Sequence, residues 1–262
     1  MSEDRTAHDK ERALSNDYLA PLDLNNYHTD KITNGYMNVY GPILAPLRWK
    51  PIKLLELGVL GGESLRLWRD YFWNGTIVGL DLRPVTINGP MERIFVYQGA
   101  QQDTALLSRI AQERASDGFD IIIDDASHIA DLTRISFWHL FDNHLKPSGL
   151  YVVEDWGTGY WSDWPDGMKY RQHPFFRERI LSLLKFIRAR RRIPSYSHSF
   201  GMVGFIKELV DEMGAHDLTR GLLTGKPKRQ SKFRQVLVVP SMVFITKSDS
   251  PQSGFRDSVA CG

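Results

Sequence analysis

Acidic side chains follow two apolar runs in the second half of the chain. One run ends at Asp124 and Asp125, with His128 three residues further on, and the other ends at Glu154 and Asp155. Buried parallel strands are continuous apolar runs of this kind, and open α/β sheets bind ligands at the carboxyl ends of their strands. If the two strands are neighbours, their acids converge, and carboxylate oxygens are ligands that magnesium prefers. The pattern predicts a magnesium site of Asp125, Glu154 and Asp155 beside His128; the alternative is that these acids cap the following helices.

A glycine-rich turn follows an apolar run in the first half of the chain. Residues 53–57 lead into Gly58, and two further glycines precede an amphipathic segment from Glu63. Such a turn lets the backbone approach a nucleotide-like ligand closely. Asp81 ends the next apolar run, about twenty residues beyond the glycines, where a carboxylate can accept hydrogen bonds from ribose hydroxyls. The glycine spacing does not fit the dinucleotide fingerprint. Glu56, two residues before Gly58, instead resembles the acid in the first motif of S-adenosylmethionine-dependent methyltransferases.

Aromatic residues are dense just after the second acidic pair. They are interleaved with glycines, Asp163 and Pro165, as in a surface loop. Flat amphipathic rings beside a polar site suit stacking on sugars, and the alternative is an apolar plug under the loop. The residues concerned are Trp156, Tyr160, Trp161, Trp164 and Tyr170.

Strand and helix patterns alternate through the middle of the chain. This alternation predicts an α/β fold with a mostly parallel sheet and helices on both faces. Two apolar runs joined by Pro240 and Ser241 predict a hairpin with an antiparallel last strand. The strands are expected near 52–57, 76–81, 93–97, 119–124 and 149–154, the helices near 63–72, 103–115 and 130–144, and the hairpin strands at Phe233–Val239 and Met242–Lys247.

The chain divides into three parts by its composition. Residues 1–50 are expected to form a partly helical N-terminal cap or lid, residues 51–247 the main domain, and residues 248–262 a flexible tail. Within the main domain, a basic helical insertion is expected over about 156–232.

Charge is distributed unevenly along the chain, although the formal net charge is only +2. Residues 169–234 carry a net charge of +11 and the remainder carries −9. The cluster Arg188, Arg190, Arg191 and Arg192 ends a predicted helix that starts near Pro174, where cations are favoured by the helix dipole. This segment is either ordinary solvated surface or a contact for an acidic or phosphorylated acceptor, a partner protein or nucleic acid.

The composition indicates a cytoplasmic enzyme with no membrane span. Hydrophobic residues make up 42% of the 262 residues, but the apolar runs are far shorter than the ~20 residues that cross a bilayer. The first residues do not resemble a secretory signal, so a cytoplasmic location is expected. Cys261 is the only cysteine, which excludes an internal disulfide and a thiolate zinc cluster.

Taken together, these motifs resemble those of the metal-dependent sugar O-methyltransferases of the mycinamicin and macrocin type, which are class I S-adenosylmethionine-dependent methyltransferases. The resemblance covers roughly residues 27 to 165. It includes Thr29-Asp30-Lys31 and Gly35-Tyr36, where the family has a segment that closes over the cofactor. The other matching motifs are the Glu56-x-Gly58 turn, Glu63-Ser64-Leu-Arg-x-Trp68, Gly-Leu-Asp81, Asp125-x-Ser-His128, and Glu154-Asp155 followed by Tyr160-Trp161.

The resemblance implies a Rossmann-like methyltransferase fold, S-adenosylmethionine and magnesium as cofactors, and His128 as the base that removes a proton from a sugar hydroxyl. The acceptor would be a macrolide-like metabolite or an oligosaccharide such as a mycobacterial methylated mannan. A homo-oligomer is also expected. The implied cofactor-binding residues are Glu56, Gly58, Ser64, Asp81, Gln101 and Asp124.

Two other functions stay open from the sequence. A catechol-type small-molecule O-methyltransferase would also use strand-end acids for a metal, but it would have Asn in place of Asp155 and often a lysine base. An RNA-binding methyltransferase or a non-catalytic binding module would use the basic segment. The Asn/Asp-Pro-Pro-aromatic signature of amino-methylating enzymes is absent from the sequence, so we expect no nucleic-acid partner.

Overall fold

The computed structural model of the protein describes residues 22–169, 200–221 and 226–249. Within these ranges the strands are β1 (Lys53–Leu57), β2 (Thr76–Asp81), β3 (Ile94–Gln98), β4 (Phe119–Asp124), β5 (Leu145–Glu154), β6 (Phe233–Val239) and β7 (Met242–Lys247). The α-helices are α1 (Asp30–Thr33), α2 (Met37–Leu44), α3 (Glu63–Tyr71), α4 (Thr104–Arg114), α5 (Ala130–Asn143), α6 (Pro165–Lys169), α7 (Gly201–Met213) and α8 (Ala215–Leu218). Short 3₁₀ helices occupy Leu24–Asn26, Ala45–Leu47 and Trp156–Tyr160.

The seven strands form one sheet in the order β3-β2-β1-β4-β5-β7-β6. The pairs β1–β2, β1–β4 and β2–β3 are parallel, whereas β6 and β7 pair antiparallel. Leu57 at the end of β1 lies opposite Asp124 at the end of β4, so these two strands end at the same edge of the sheet. The mostly parallel sheet with an antiparallel last strand is confirmed.

The described residues form two compact units. Unit 1 comprises the residues up to Ala126 together with Ser136–Tyr151, and unit 2 comprises Ser127–Ile135 and the residues from Val152 onward. Strands β1 to β4 lie in unit 1, and β6 and β7 lie in unit 2. Strand β5 and helix α5 each contribute residues to both units.

Helix α3 supplies much of the core of unit 1 because its apolar residues recur at helical spacing. Leu65, Trp68 and Tyr71 are fully buried. The ring of Tyr40, from α2, packs edge-on against Trp68 with 5.1 Å between ring centroids. The Tyr71 hydroxyl donates a hydrogen bond to the carbonyl oxygen of Gly41 at 3.3 Å. These contacts attach helix α2 to α3.

Unit 2 is built around the hairpin and helix α7. Met242 to Ile245 of β7 are buried, whereas β6 keeps exposed residues because it is the last strand of the sheet. Met202, Phe205 and Leu209 lie three and four residues apart in α7, and all three are buried. The hairpin strands have the bounds that the sequence predicts.

Strand β5 differs from its prediction because it begins at Leu145 rather than at residue 149. Pro147 and Gly149 are turn residues in most sequences, which is why the first half of the strand is not predicted. Pairing with β4 nevertheless begins early, since the backbone N–H of Phe119 donates to the His144 carbonyl at 2.7 Å. The ammonium group of Lys146 also contacts Asp120 at 3.0 Å.

Four sequence predictions fall outside the described residues. These are the charged start of the N-terminal cap, Tyr170 of the aromatic cluster, the basic helix from about 174 to 192, and nearly all of the tail from 248 to 262. Within the described residues, no helix combines the length and apolar character that a membrane crossing requires.

Candidate active site

The turn after β1 requires glycine at Gly58. Its φ is +82°, in the left-handed region, and a Cβ atom there would lie 2.2 Å from the carbonyl oxygen of Asp125. The Gly58 N–H donates to the Leu80 carbonyl at 2.8 Å, and the Asp125 N–H donates to the Leu57 carbonyl at 2.9 Å. The turn is therefore held against the ends of both neighbouring strands.

Asp81 orients the glycine turn from the end of β2. One carboxylate oxygen accepts the backbone N–H groups of Val59 and Leu60 at 3.0 and 2.9 Å, and the other accepts that of Arg83 at 2.9 Å. Asp81 is partly exposed. An ionised carboxylate has about four acceptor positions, so Asp81 has capacity for a further donor such as a ribose hydroxyl.

Glu56 is fully buried, and both of its carboxylate oxygens have partners within unit 1. Ser64 donates its hydroxyl to one oxygen at 2.7 Å, and the Lys31 ammonium lies 3.1 Å from the other. Burial raises the pKa of Glu56 and nearby Asp125 adds to this, while Lys31 and Ser64 act in the opposite direction. Sequence reasoning identifies Glu56 and Ser64 but not this contact with Lys31.

Asp124 and Gln101 belong to one buried hydrogen-bond network in unit 1. The Gln101 amide donates to Asp124 at 3.2 Å, and the hydroxyls of Ser136 and Tyr151 donate to the same carboxylate at 3.0 and 3.1 Å. Burial, together with the charge of Asp124, raises the pKa of Tyr151 well above its usual value. The structure thus brings two predicted cofactor residues together. Ser136 and Tyr151 are missed from the sequence because neither stands in a recognisable motif.

Asp125 follows β4 and has a small exposed fraction of its side chain. Its carboxylate accepts the ammonium group of Lys31 at 2.8 Å. Lys31 therefore contacts both a predicted cofactor residue, Glu56, and a predicted metal ligand, Asp125. The sequence places Lys31 in a motif near the amino end but gives no sign that its side chain is buried.

His128, Glu154 and Asp155 lie in unit 2. Nε2 of His128 is 4.0 Å from a carboxylate oxygen of Asp155, and both side chains are partly exposed. Glu154, the last residue of β5, is fully buried. His128 and Asp155 both have a φ of +51°, which is unusual for residues that carry a Cβ. Strained backbone of this kind concentrates at functional sites.

Trp164 packs beside His128 in unit 2. The two rings have 5.8 Å between centroids, and the indole N–H of Trp164 is buried without a hydrogen-bond partner in the described residues. Among the other predicted aromatics, Tyr160 and Trp161 are 47% and 55% exposed. Trp156 instead donates its indole N–H to the Val239 carbonyl at 3.2 Å, which ties it to the hairpin.

Asp166 is a buried residue that the sequence does not single out. One of its carboxylate oxygens accepts the backbone N–H of Ala130 at 2.9 Å and that of Met202 at 2.8 Å. These groups lie at the amino ends of α5 and α7, where backbone N–H groups have no partner within the helix. Asp166 thereby fixes the start of α5, two residues after His128.

The donor set matches magnesium by chemical type. Asp125 of unit 1 and His128 and Asp155 of unit 2 each carry an atom of a type that binds metals, and two of these three atoms are carboxylate oxygens; the predicted ligand Glu154 is fully buried and is not in this group. Oxygen ligands of this kind suit a hard divalent cation.

Curated proteins similar to this chain are O-methyltransferases. Mycinamicin VI 2''-O-methyltransferase of Micromonospora griseorubida is 44% identical over 121 residues, which is 44% of this chain and 29% of that protein. Demethylmacrocin O-methyltransferase of Streptomyces fradiae is 40% identical over 121 residues, which is 44% of this chain and 30% of that protein. The tetracenomycin-C 3'-O-methyltransferase of Streptomyces olivaceus, which acts on a 2-methoxy-rhamnosyl group, is 41% identical over 130 residues, covering 47% and 32%. The matched region is therefore about 30% of the length of these relatives.

Solved structures of MycE, a methyltransferase of the mycinamycin biosynthetic pathway, match a larger part of the chain. The complex of MycE with Mg, SAH and mycinamycin VI has a TM-score of 0.60 and 28% identity, covering 84% of this chain and 51% of MycE. A second crystal form with Mg and SAH has a TM-score of 0.61 and 27% identity, covering 86% and 55%. No family model matches the chain. The chain is therefore similar to the mycinamicin VI and demethylmacrocin O-methyltransferases over 44% of its length, and it has the Rossmann-like methyltransferase fold of MycE.

Proposed function

We propose that this chain transfers a methyl group from S-adenosylmethionine to a sugar hydroxyl of a glycoside or oligosaccharide, with magnesium and with His128 as general base. The observation that carries the proposal is the distance of 4.0 Å between Nε2 of His128 and a carboxylate oxygen of Asp155, the residue that follows β5. The fold of the chain also matches that of MycE. MycE was solved with Mg, SAH and mycinamycin VI. The proposal concerns the whole chain, whereas the three curated relatives match 44% to 47% of it.

Asp125, Glu154 and Asp155 are the proposed magnesium ligands. Two observations support this assignment. All three side chains are carboxylates, and the strands at whose ends they stand, β4 and β5, are neighbours in the sheet. Acids after neighbouring parallel strands lie close together, since such strands are about 4.8 Å apart. The chemistry that magnesium supplies when bound is the positive charge that lowers the pKa of a sugar hydroxyl.

The cofactor half of the site is proposed to lie in unit 1. S-adenosylmethionine supplies the sulfonium methyl group when bound. Asp81 would accept the ribose hydroxyls, for which its carboxylate has acceptor capacity beside the glycine turn. Gly58 would let the backbone approach the ligand, and Glu56, to which Ser64 donates a hydrogen bond, would lie at the ribose with Asp81. Gln101 would contact the adenine and Asp124 the methionine end.

His128 is proposed to take the proton from the acceptor hydroxyl. A histidine has a reference pKa of about 6.5, which suits proton transfer near neutrality. Asp155, whose carboxylate is 4.0 Å from Nε2, would help to orient the ring. Packing against Trp164 restricts the orientation of the ring. The task left to the protein is to position the hydroxyl oxygen in line with the methyl group.

The acceptor is proposed to stack on the aromatic residues after β5. Tyr160 and Trp161 have large exposed fractions, and such rings bind the apolar faces of sugars. The buried indole N–H of Trp164 is a hydrogen-bond donor next to His128, and it would serve an acceptor oxygen. The name of the Streptomyces olivaceus relative includes a rhamnosyl group attached to a larger metabolite, which supports a glycoside in preference to a small phenol.

Product analysis tests the proposal. Full-length protein is incubated with S-adenosylmethionine, magnesium and a panel of glycosides, oligosaccharides and catechols, and the products are examined by mass spectrometry. We expect a mass increase of one methyl group in place of a hydrogen on a glycoside or oligosaccharide, and none in EDTA. Methylation confined to catechols would identify a small-molecule enzyme instead.

Three broader expectations remain predictions from the sequence. These are a cytoplasmic location, assembly into a homo-oligomer and the absence of a nucleic-acid partner. Size-exclusion chromatography with light scattering tests the second, and a filter-binding assay with RNA tests the third.

A further inference from the structure

Lys31 is a fully buried lysine in the short helix α1. Lysine is almost never fully buried unless its charge is paired, because removing an ammonium group from water is costly. The side chain of Thr29, which precedes α1, accepts the Lys31 backbone N–H at 3.4 Å. The segment that carries Lys31 is thus fixed locally, while its charged group reaches into the sheet.

The Lys31 ammonium lies between two carboxylates. It is 3.1 Å from Glu56 and 2.8 Å from Asp125. Glu56 lies in β1 and Asp125 directly follows β4, its neighbour in the sheet. Lys31 therefore joins an acid of the proposed cofactor half to an acid of the proposed metal site.

Lys31 offsets part of the negative charge of Glu56 and Asp125 within unit 1. Burial disfavours the charged form of Glu56, and Asp125 adds a second negative charge nearby. A buried acid that loses its partner is left with an uncompensated charge, which is strongly destabilising. Lys31 supplies the compensating charge from within the chain.

We propose that Lys31 is a positioning residue that holds Glu56 and Asp125 in place without metal, so that the cofactor half of the site is formed whether or not magnesium is bound. The inference rests on the proposed function, because it assigns Glu56 to cofactor binding and Asp125 to the metal. It predicts that S-adenosylmethionine binds the wild-type protein with similar affinity in EDTA and in magnesium.

Calorimetric titration of S-adenosylmethionine, in EDTA and in magnesium, tests the inference. In Lys31→Met the cofactor affinity in EDTA should fall by about tenfold or more, because a charged contact in the pocket is lost. Magnesium should recover part of this loss, since its charge compensates Asp125. Lys31→Arg should retain most of the affinity because it keeps the charge.

A matched control and a stability measurement complete the experiment. Lys53→Met removes another lysine that pairs with an acid of unit 1, Asp117, at the other end of β1, and it should bind cofactor like the wild type. Thermal unfolding in EDTA should show Lys31→Met less stable than Lys53→Met. The double variant Lys31→Met/Glu56→Gln should regain part of this stability, because no buried charge is then left unpaired at Glu56.

Separate outcomes contradict the inference and the proposed function. If Lys31→Met binds cofactor in EDTA as tightly as the wild type, Lys31 does not hold the pocket. If the wild-type protein binds cofactor only with magnesium, Lys31 does not replace the metal. Either result overturns the inference and leaves the proposed methyl transfer standing. Absence of any cofactor binding by the wild type would overturn both.

Discussion

The buried carboxylates of unit 1 and the His128–Asp155 pair of unit 2 are stabilised in different ways. Glu56 and Asp124 are removed from water, and each is held by at least two side chains. His128 and Asp155 keep partial exposure, lie 4.0 Å apart and both have left-handed backbone. Side chains fixed by internal hydrogen bonds can preorganise a binding surface, whereas strained and partly exposed groups keep atoms available for ligands. The first region therefore suits recognition, and the second suits proton transfer and metal binding.

The largest expected effect tests the chemical role of the second region. His128→Ala should lower turnover by roughly 10²–10⁴-fold, the usual contribution of a general base. Cofactor affinity should be nearly unchanged, because the proposed cofactor residues lie in unit 1. Raised pH should ease the loss, since hydroxide can then remove the proton. Steady-state kinetics across pH, with calorimetry as the binding control, distinguish this from a structural role, which would leave most of the neutral-pH rate.

The metal prediction concerns the acids after β5. EDTA should abolish turnover and magnesium should restore it. Glu154→Gln and Asp155→Asn should each raise the magnesium concentration for half-maximal activity by at least about 10–100-fold. Residues that only hydrogen-bond to a metal ligand already contribute that much to metal affinity or activity. Circular dichroism should show the sheet intact in both variants. Undiminished activity in chelator would leave a metal-free methyltransferase.

Asp81→Ala tests the proposed cofactor site of unit 1. Losing the carboxylate should weaken S-adenosylmethionine binding by about 1.5–3 kcal/mol, or roughly 10–150-fold, since hydrogen bonds to a charged acceptor are lost. Asp81→Asn is the matched control because its amide oxygen can still accept the turn N–H groups of Val59 and Leu60. We expect it to lose less affinity in calorimetry. Equal affinity in the wild type and Asp81→Ala would remove Asp81 from the cofactor site.

Asp166→Ala should give the smallest effect of these variants. It tests whether Asp166 stabilises the fold of unit 2 without taking part in the chemistry. It should lower the free energy of unfolding by about 1–3 kcal/mol, because the starts of α5 and α7 lose a capping acceptor. Asp166→Asn keeps an acceptor oxygen and should lose less. Chemical denaturation measures both. A variant as stable as the wild type would show that water replaces the carboxylate at both helix ends.

The sequence predicts the strand ends well because apolar runs and terminal acids are local signals. Strands β2, β4, β6 and β7 have their predicted bounds, and β5 differs at its start because Pro147 and Gly149 indicate a turn. The hydrogen bond between Gln101 and Asp124 is not predicted from the sequence, although both residues are singled out there.

Long-range partnerships are not visible in the sequence. Lys31 contacts residues 25 and 94 positions away along the chain, and lysine is ordinarily a surface residue, so its burial has no local sign. Asp166 reaches backbone groups 36 positions away in both directions, and backbone donors carry no sequence signal at all. The roles of the magnesium-binding acids and of the general base stay predictions for the same reason. Each role depends on a bound molecule or ion that contacts residues from several strands and helices.

The shared contact of Asp166 has a consequence for protein engineering. Asp166 in α6 accepts the backbone N–H of Met202 in α7, so its carboxylate joins these two helices within unit 2. Gly167 and Gly201 are packed so closely there that a Cβ would meet Trp161 or Asp166 itself. An engineered variant of unit 2 should therefore keep Asp166, Gly167 and Gly201 unchanged.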